Sequence, residues 1–195
     1  MKTTLFIDGR NFLEKLEDVF ELEKKEKPLW HTYNFRGLID QVLKGITIDE
    51  GIFYFAKIKE HPDTVVKSKQ LAGELRALKT HLEKQSFGVV LGGTVRGHYK
   101  KDGRGKETLV FKEKGVDVSI AVDIIVAACD KKIKTAVVGS SDSDLQPAIR
   151  ELRKRGVESI YLGFEVMPNI GLTVTTNKTI LIRNAEVLNF KDSLL

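Results

Sequence analysis

Short apolar runs that would lie as buried strands, at 3–7, 51–58, 87–91, 135–138 and 159–163, alternate along this chain with segments whose apolar residues recur at helical spacing. Leu13, Leu16, Val19 and Phe20 form one helical stripe, and Leu38, Ile39, Val42 and Leu43 form a second. A third, Leu71, Leu75, Leu78 and Leu82, belongs to a helix expected over 67–85, and further helices are expected over 116–130 and 147–155. Such alternation admits few architectures, because strands joined through helices pair in parallel and right-handed crossovers cover both faces of the sheet. The expectation is therefore a three-layer α/β/α fold with a mainly parallel central sheet. With 195 residues, of which 42% are hydrophobic and 30% charged, the chain suits one buried core spanning 1–195 and is short for two.

Local punctuation agrees with this reading. Gly9 permits a tight turn after the first strand, with Asn11 expected to cap the helix that follows, and Pro28 closes that helix. Asn34 is placed to cap the second helix, and Gly156 to end the one over 147–155. Between 92 and 114 the alternation breaks, and a turn at 101–105 between short runs reads as a basic hairpin inserted before the helix at 116. Toward the C-terminus, 173–176 and 179–182 fit either helix or strand, and 187–190 reads as a last strand or edge segment. The segment 163–195 is expected to pack on the same domain.

Four aspartates fall where such a sheet would deliver them to one edge. Asp8 closes the first apolar run, Asp117 opens a helix, and Asp142 and Asp144 follow the run at 135–138. Ligands of open α/β sheets bind beyond the carboxyl ends of the strands. Carboxylates converging there repel and raise one another's pKa values unless a cation offsets their charge. An all-oxygen donor set suits Mg²⁺ or Mn²⁺, ions that activate water against a phosphodiester. Asp142 and Asp144, two apart, would share a side if the segment were extended. The structural alternative is that Ser140 or Asp142 simply caps the helix that Pro147 begins, and Asp8 alone would be a turn residue. On an ideal helix Asp123 lies about 240° round from Asp117 and roughly 9 Å along the axis, so it is expected to support the site rather than share an ion directly.

Charge adds a direction. The net charge is +5, and between Arg96 and Lys114 seven basic residues face three acidic ones. Arg96, Lys100, Lys101, Arg104 and Lys114 are candidates to bind a polyanionic substrate beside the acids, against the plainer reading of a solvated lysine-rich loop. None of the four histidines has paired metal-ligand spacing; His98, in the same stretch, is a candidate substrate contact, and His31, His61 and His81 are expected to be ordinary surface or helix residues. A single cysteine, Cys129, excludes a disulfide framework and is expected to be a buried thiol. The start, MKTTLFIDGRN, is too short in apolar residues for a signal peptide and no run reaches membrane-spanning length, so a cytoplasmic, reduced setting is expected.

The segments FIDGRNF, KGVDVSIAVDIIVAA and VVGSSDSDLQPAIRELRKRG together resemble the NYN domain family, a branch of the PIN-like nucleases that includes the LabA-like proteins. Order and spacing carry the resemblance, which runs over 3–162. It implies a PIN-like fold and Mg²⁺- or Mn²⁺-dependent ribonuclease activity on single-stranded or structured RNA. Asp8, Asp117, Asp142 and Asp144 match the family's acidic set, Asn11 its first-motif asparagine, Ser140 its small hydroxyl residue, and Lys114 the start of its KGVD-like motif. An acid is also common at the position of Asp123. Ser141 stands where glycine is common and Leu145 where phenylalanine is common, and neither departure removes a carboxylate.

The leading expectation is thus a metal-dependent ribonuclease, and the runner-up a nucleic-acid-binding regulatory module with little turnover. A Toprim-like phosphotransfer fold ranks lower because the early acid is Asp8 within DGRN, and no Gly-x-Gly-x-x-Gly follows the first strand as a dinucleotide-binding fold would require. The leucine stripe over 71–82 is expected in the core, with a homodimer contact as its alternative.

Overall fold

In the computed structural model, which describes residues 1–59, 65–101, 103, 105 and 107–191, seven strands form one sheet. They are β1 (Lys2–Asp8), β2 (Glu50–Ile58), β3 (Gly88–Lys101), β4 (Glu107–Lys114), β5 (Ile133–Gly139), β6 (Glu158–Phe164) and β7 (Lys178–Ile182), in the order β4-β3-β2-β1-β5-β6-β7. Every neighbouring pair is parallel except β3 with β4. The mainly parallel sheet and its flanking helices are those expected from the alternation.

Side chains alternate between two cores, as the two-residue period of a strand requires. Leu5 and Ile7 of β1, Phe53 and Phe55 of β2, and Ile160 and Leu162 of β6 pack on one face. That face is covered by α1 (Gly9–Leu22), α2 (Phe35–Val42), α3 (Val65–Lys84) and α7 (Asn184–Asn189). Phe6, Tyr54, Val138 and Tyr161 pack on the other, under α4 (Val116–Cys129), α5 (Gln146–Lys154) and α6 (Ile170–Thr175). Each fully buried apolar side chain contributes roughly 1.5–3 kcal/mol, and the two layers hold the sheet between them.

Several expectations change in detail. The strand expected at 87–91 continues to Lys101 and pairs antiparallel with β4 at the edge of the main sheet, with Thr94 opposite Lys114 and Lys101 opposite Glu107. The C-terminal stretch expected as a strand is the helix α7, started by Glu186 Oε2 accepting from the Arg183 N–H at 2.9 Å. Its Val187 enters the core, and its Val187 carbonyl accepts from the Tyr33 hydroxyl at 2.8 Å. On α4 the buried positions are Val116, Ile120, Ile124 and Ala128, whereas Val118, expected inside, is 60% exposed. Cys129 is likewise exposed rather than buried, because Ala128 takes the inward position of that last turn. Of the leucine stripe on α3, Leu78 and Leu82 are buried while Leu71 and Leu75 are only half-covered. His61 and the loop around Pro62 lie outside the described residues.

Gly9 shows how tightly α1 seats on the sheet. A Cβ there would collide with the Phe55 ring, itself 6% exposed. Alanine favours helix over glycine by about 1 kcal/mol, but overpacking a filled core costs roughly 1–3 kcal/mol. Gly9→Ala is expected to lower unfolding free energy by about 1–2 kcal/mol in urea denaturation.

Candidate functional site

Strand β1 is the point from which the chain winds outward in both directions. It pairs with β2 on one edge and β5 on the other, and the crevice at the carboxyl ends of β1 and β5 is the switch point where α/β sheets bind ligands. Ile7 stands opposite Gly139, so Asp8 and Ser140 leave the sheet side by side. The antiparallel return of β4 brings Lys114 back to the same edge, and Gly115, at φ +86°, turns the chain into α4. Asp117 therefore sits in the first turn of α4, where the helix dipole favours a negative charge.

Carboxylate oxygens of Asp117, Asp142 and Asp144 all lie within 4.8 Å of one another. Asp142 and Asp144 meet through a tight turn rather than strand alternation. Asp142 is extended and accepts from the Asp144 N–H at 2.9 Å, starting the 3-10 turn Ser143–Leu145 that leads into α5. Capping and convergence thus coexist, since the bond occupies one Asp142 oxygen. Ser140, 4% exposed, accepts the Asp142 N–H through Oγ at 3.1 Å and shapes the loop without facing solvent.

Asp8 stands beside this group rather than within its 4.8 Å spacing. It, not Asn11, caps α1, accepting from the Asn11 N–H at 3.0 Å. Asn11 instead reaches across, its Oδ1 accepting the Ser141 N–H at 2.8 Å and tying α1 to the loop after β5. Asp8 is 7% exposed. Burial pushes its carboxyl from 3.8 up to about 6, the Asn11 N–H pulls it down, and the Asp142, Glu14 and Asp117 charges add to the rise.

Glu113 was counted in the sequence only as one charge among many. Half-buried on β4, it is pushed up to about 7 by burial first and the Asp8 charge second, with Arg10 opposing. Its signal is the alternation of β4, where Leu109, Phe111 and Glu113 share the less exposed side. Asn169 and Tyr161 also went unnoticed. Asn169 Nδ2 donates to the Ser141 carbonyl at 2.8 Å, and its own N–H donates to the Tyr161 hydroxyl at 3.1 Å. Asp123 accepts from the Tyr54 hydroxyl at 2.9 Å, a supporting contact from α4 to β2. Lys101 is exposed and pairs with Glu107 at 3.2 Å, and Lys114 is exposed at the site's edge. Arg104 and the side chains of Arg96, His98 and Lys100 lie outside the described residues.

A cavity of about 420 Å³ opens between α1, α3 and residues of β2 to β4, with Arg10 and Glu113 in its lining, and Glu113 feels the Asp8 and Asp117 charges. Among the described residues, no helix is long and apolar enough to cross a membrane.

Fold and site together define an open, doubly wound α/β protein carrying an acidic group at its switch point. The NYN domain profile matches residues 2–183, and the chain belongs to the NYN domain family, within the PIN-like nucleases. Among solved structures it resembles a protein of unknown function, VPA0982, from Vibrio parahaemolyticus, with 16% identity over 93% of this chain and 92% of that one and a TM-score of 0.54. That likeness concerns the fold. No curated protein sequence matches the chain significantly.

The raised Asp8 carboxyl has a stability consequence. The folded protein keeps this proton up to about pH 6 while the unfolded chain releases it near 3.8, so the associated stability is full in acid and lost as pH rises between those values. Asparagine caps helices as well as aspartate. Asp8→Asn is expected to be more stable than wild type by roughly 1–3 kcal/mol at pH 8, with the gap closing toward pH 4, as read by urea denaturation across that range.

Proposed function

We propose that this protein is a metal-dependent ribonuclease that hydrolyses RNA phosphodiester bonds at the Asp8, Asp117, Asp142 and Asp144 edge of the sheet. The observation that carries the reading is the approach of three carboxylates to within 4.8 Å, with the desolvated Asp8 alongside. The donor set fits Mg²⁺ or Mn²⁺, being all carboxylate oxygen, and oxygens bound to one such ion stand only about 3–4 Å apart. When bound, such an ion supplies an activated water and neutralises charge developing on the phosphate.

The protein's own residues do the rest. Asp117, Asp142 and Asp144 would hold the ion from α4 and the β5–α5 loop, while Asp8, beside them, would orient the attacking water and accept its proton. Its burial and the Asn11 N–H on one oxygen fix the carboxyl in place for that role. Asn11, Ser140 and Asn169 fix the loop geometry through the hydrogen bonds already described, and Asp123 braces α4 through Tyr54. Lys114, Lys101, Arg96, Lys100 and Arg104 supply cations for the RNA backbone. Residues 163–191 are read as part of the same unit, a reading supported by β6–β7 pairing and the Tyr33–Val187 bond. The absence of a membrane-spanning helix among the described residues is compatible with action on cytoplasmic RNA.

Labelled single-stranded RNA, structured RNA and single-stranded DNA are to be incubated with Mn²⁺, Mg²⁺ or EDTA. RNA products are expected only with metal, and Asp117→Asn or Asp142→Asn is expected to cut the rate by at least about a hundredfold while retaining the wild-type melting profile. An unchanged rate in Asp142→Asn would sink the assignment. RNA binding without products under any metal would favour the regulatory module.

A further inference from the structure

We propose that the cavity between α1 and α3 is a nucleobase subsite that seats a guanine of the RNA strand beside the acidic group, with the Glu113 carboxylate accepting from the guanine N1–H and N2–H. The proposal rests on RNA being the substrate, and it names a recognition element for that site.

Volume and lining come first. The cavity measures about 420 Å³, within the roughly 300–1,000 Å³ common for small-ligand sites. Its walls include the half-covered Leu13, Trp30, Leu71 and Leu75, a mostly apolar surface suited to the faces of a planar ring. It exists because α3 closes on the sheet through Leu78 and Leu82 but leaves Leu71 and Leu75 short of full cover.

Glu113 marks where the ring's polar edge would point. The other carboxylates of the lining are engaged: Glu14 with Arg10, Glu17 with Lys27 and Trp30, and Glu74 with Gln70. Among the described residues Glu113 has no hydrogen-bond or ion-pair partner, although it is half-buried. A carboxylate so placed is stabilised by a ligand that brings donors. Guanine offers two adjacent N–H donors on its Watson–Crick edge, matching the two oxygens of one carboxylate. Adenine and cytosine offer a single amino group there, and uracil a single N–H between two carbonyls that a carboxylate repels.

Charge chooses the strand over a basic peptide. Four carboxylates, Glu14, Glu17, Glu74 and Glu113, against Arg10 and Lys27 leave the lining net negative, which disfavours phosphate within it, so a base fits where the backbone does not. Beyond His31, which lines both hollows, a second recess of about 360 Å³ is lined by Arg76, His81 and Lys84. Arg76 and Lys84 there would repel a lysine-rich segment and attract the phosphates of a strand leaving the cavity.

The test uses the full-length chain and mononucleotides, which contain no phosphodiester bond to cut, so its outcome is independent of nuclease activity. Titration with 5′-GMP, AMP, CMP, UMP and ribose 5-phosphate is followed by methyl NMR of Leu13, Leu71 and Leu75. GMP is expected to shift these methyls and to bind about tenfold or more tightly than the others. Glu113→Gln is expected to erase that preference, and Leu75→Phe, narrowing the cavity, to weaken GMP binding with Glu113 intact. Equal binding of all five compounds, or shifts from a lysine-rich peptide but from no nucleotide, would overturn the subsite. GMP binding in a protein that cuts no RNA would uphold the subsite while removing the nuclease reading.

Discussion

Strand β1 is hydrogen-bonded along both edges and buried on both faces, and most of the molecule follows from that double constraint. With β2 and β5 taken as parallel neighbours, the chain must wind outward in opposite directions, leaving a crevice at the carboxyl end of β1. Whatever residue ends β1 is held at that crevice with little access to water. Here it is Asp8, which raises its proton affinity and makes the position costly for folding. A carboxylate in such a place lowers stability, and it is the kind of position at which functional groups are sought.

The surroundings of the acids are organised to hold a short loop rather than to neutralise it. Residues 140–144 are gripped from α1 by Asn11, from the start of α6 by Asn169, and internally by Ser140 and the Asp142 cap. Side-chain amides and hydroxyls do this without adding positive charge, so the repulsion among the carboxylates remains available to bind a cation. The departures from the family pattern at Ser141 and Leu145 sit comfortably in this frame. Ser141 uses its backbone N–H and carbonyl for the clamp, and Leu145 is fully buried under α4 and α5.

Helix α3 has a divided role. Its C-terminal half is anchored in the core through Leu78 and Leu82, and Gln85 just beyond its end accepts the Arg36 N–H and donates to the Tyr33 carbonyl. Its N-terminal half stands over the cavity that adjoins the acidic edge. One amphipathic stripe therefore serves packing at one end and a cavity wall at the other, which is why a wholly buried helix does not describe it.

Much of this was legible in the sequence because strand and helix periods, capping residues and glycine turns are local properties. The alternation of strands and helices, the Asn34 cap of α2, and the positions of Asp8, Asp117, Asp142 and Asp144 at the ends of strands or starts of helices each follow from residues within a few positions of one another. The last helix escaped because Asn184–Asn189 is a short segment whose capping Glu186 competes with an apolar pattern that also suits a strand. Cys129 and Val118 were misplaced because α4 is apolar around most of its circumference, so periodicity alone could not say which side meets the sheet. Only the tertiary structure decided that Asp142 and Asp144 meet through a turn, that Asp8 rather than Asn11 caps α1, and that Glu113 faces the same edge. Those facts depend on distances between segments far apart in the chain, set by strand register and by which helix face the core accepts. The sequence by itself determined which ionisable side chains stand at the ends of these elements, and the packing of the layers determined which of them meet.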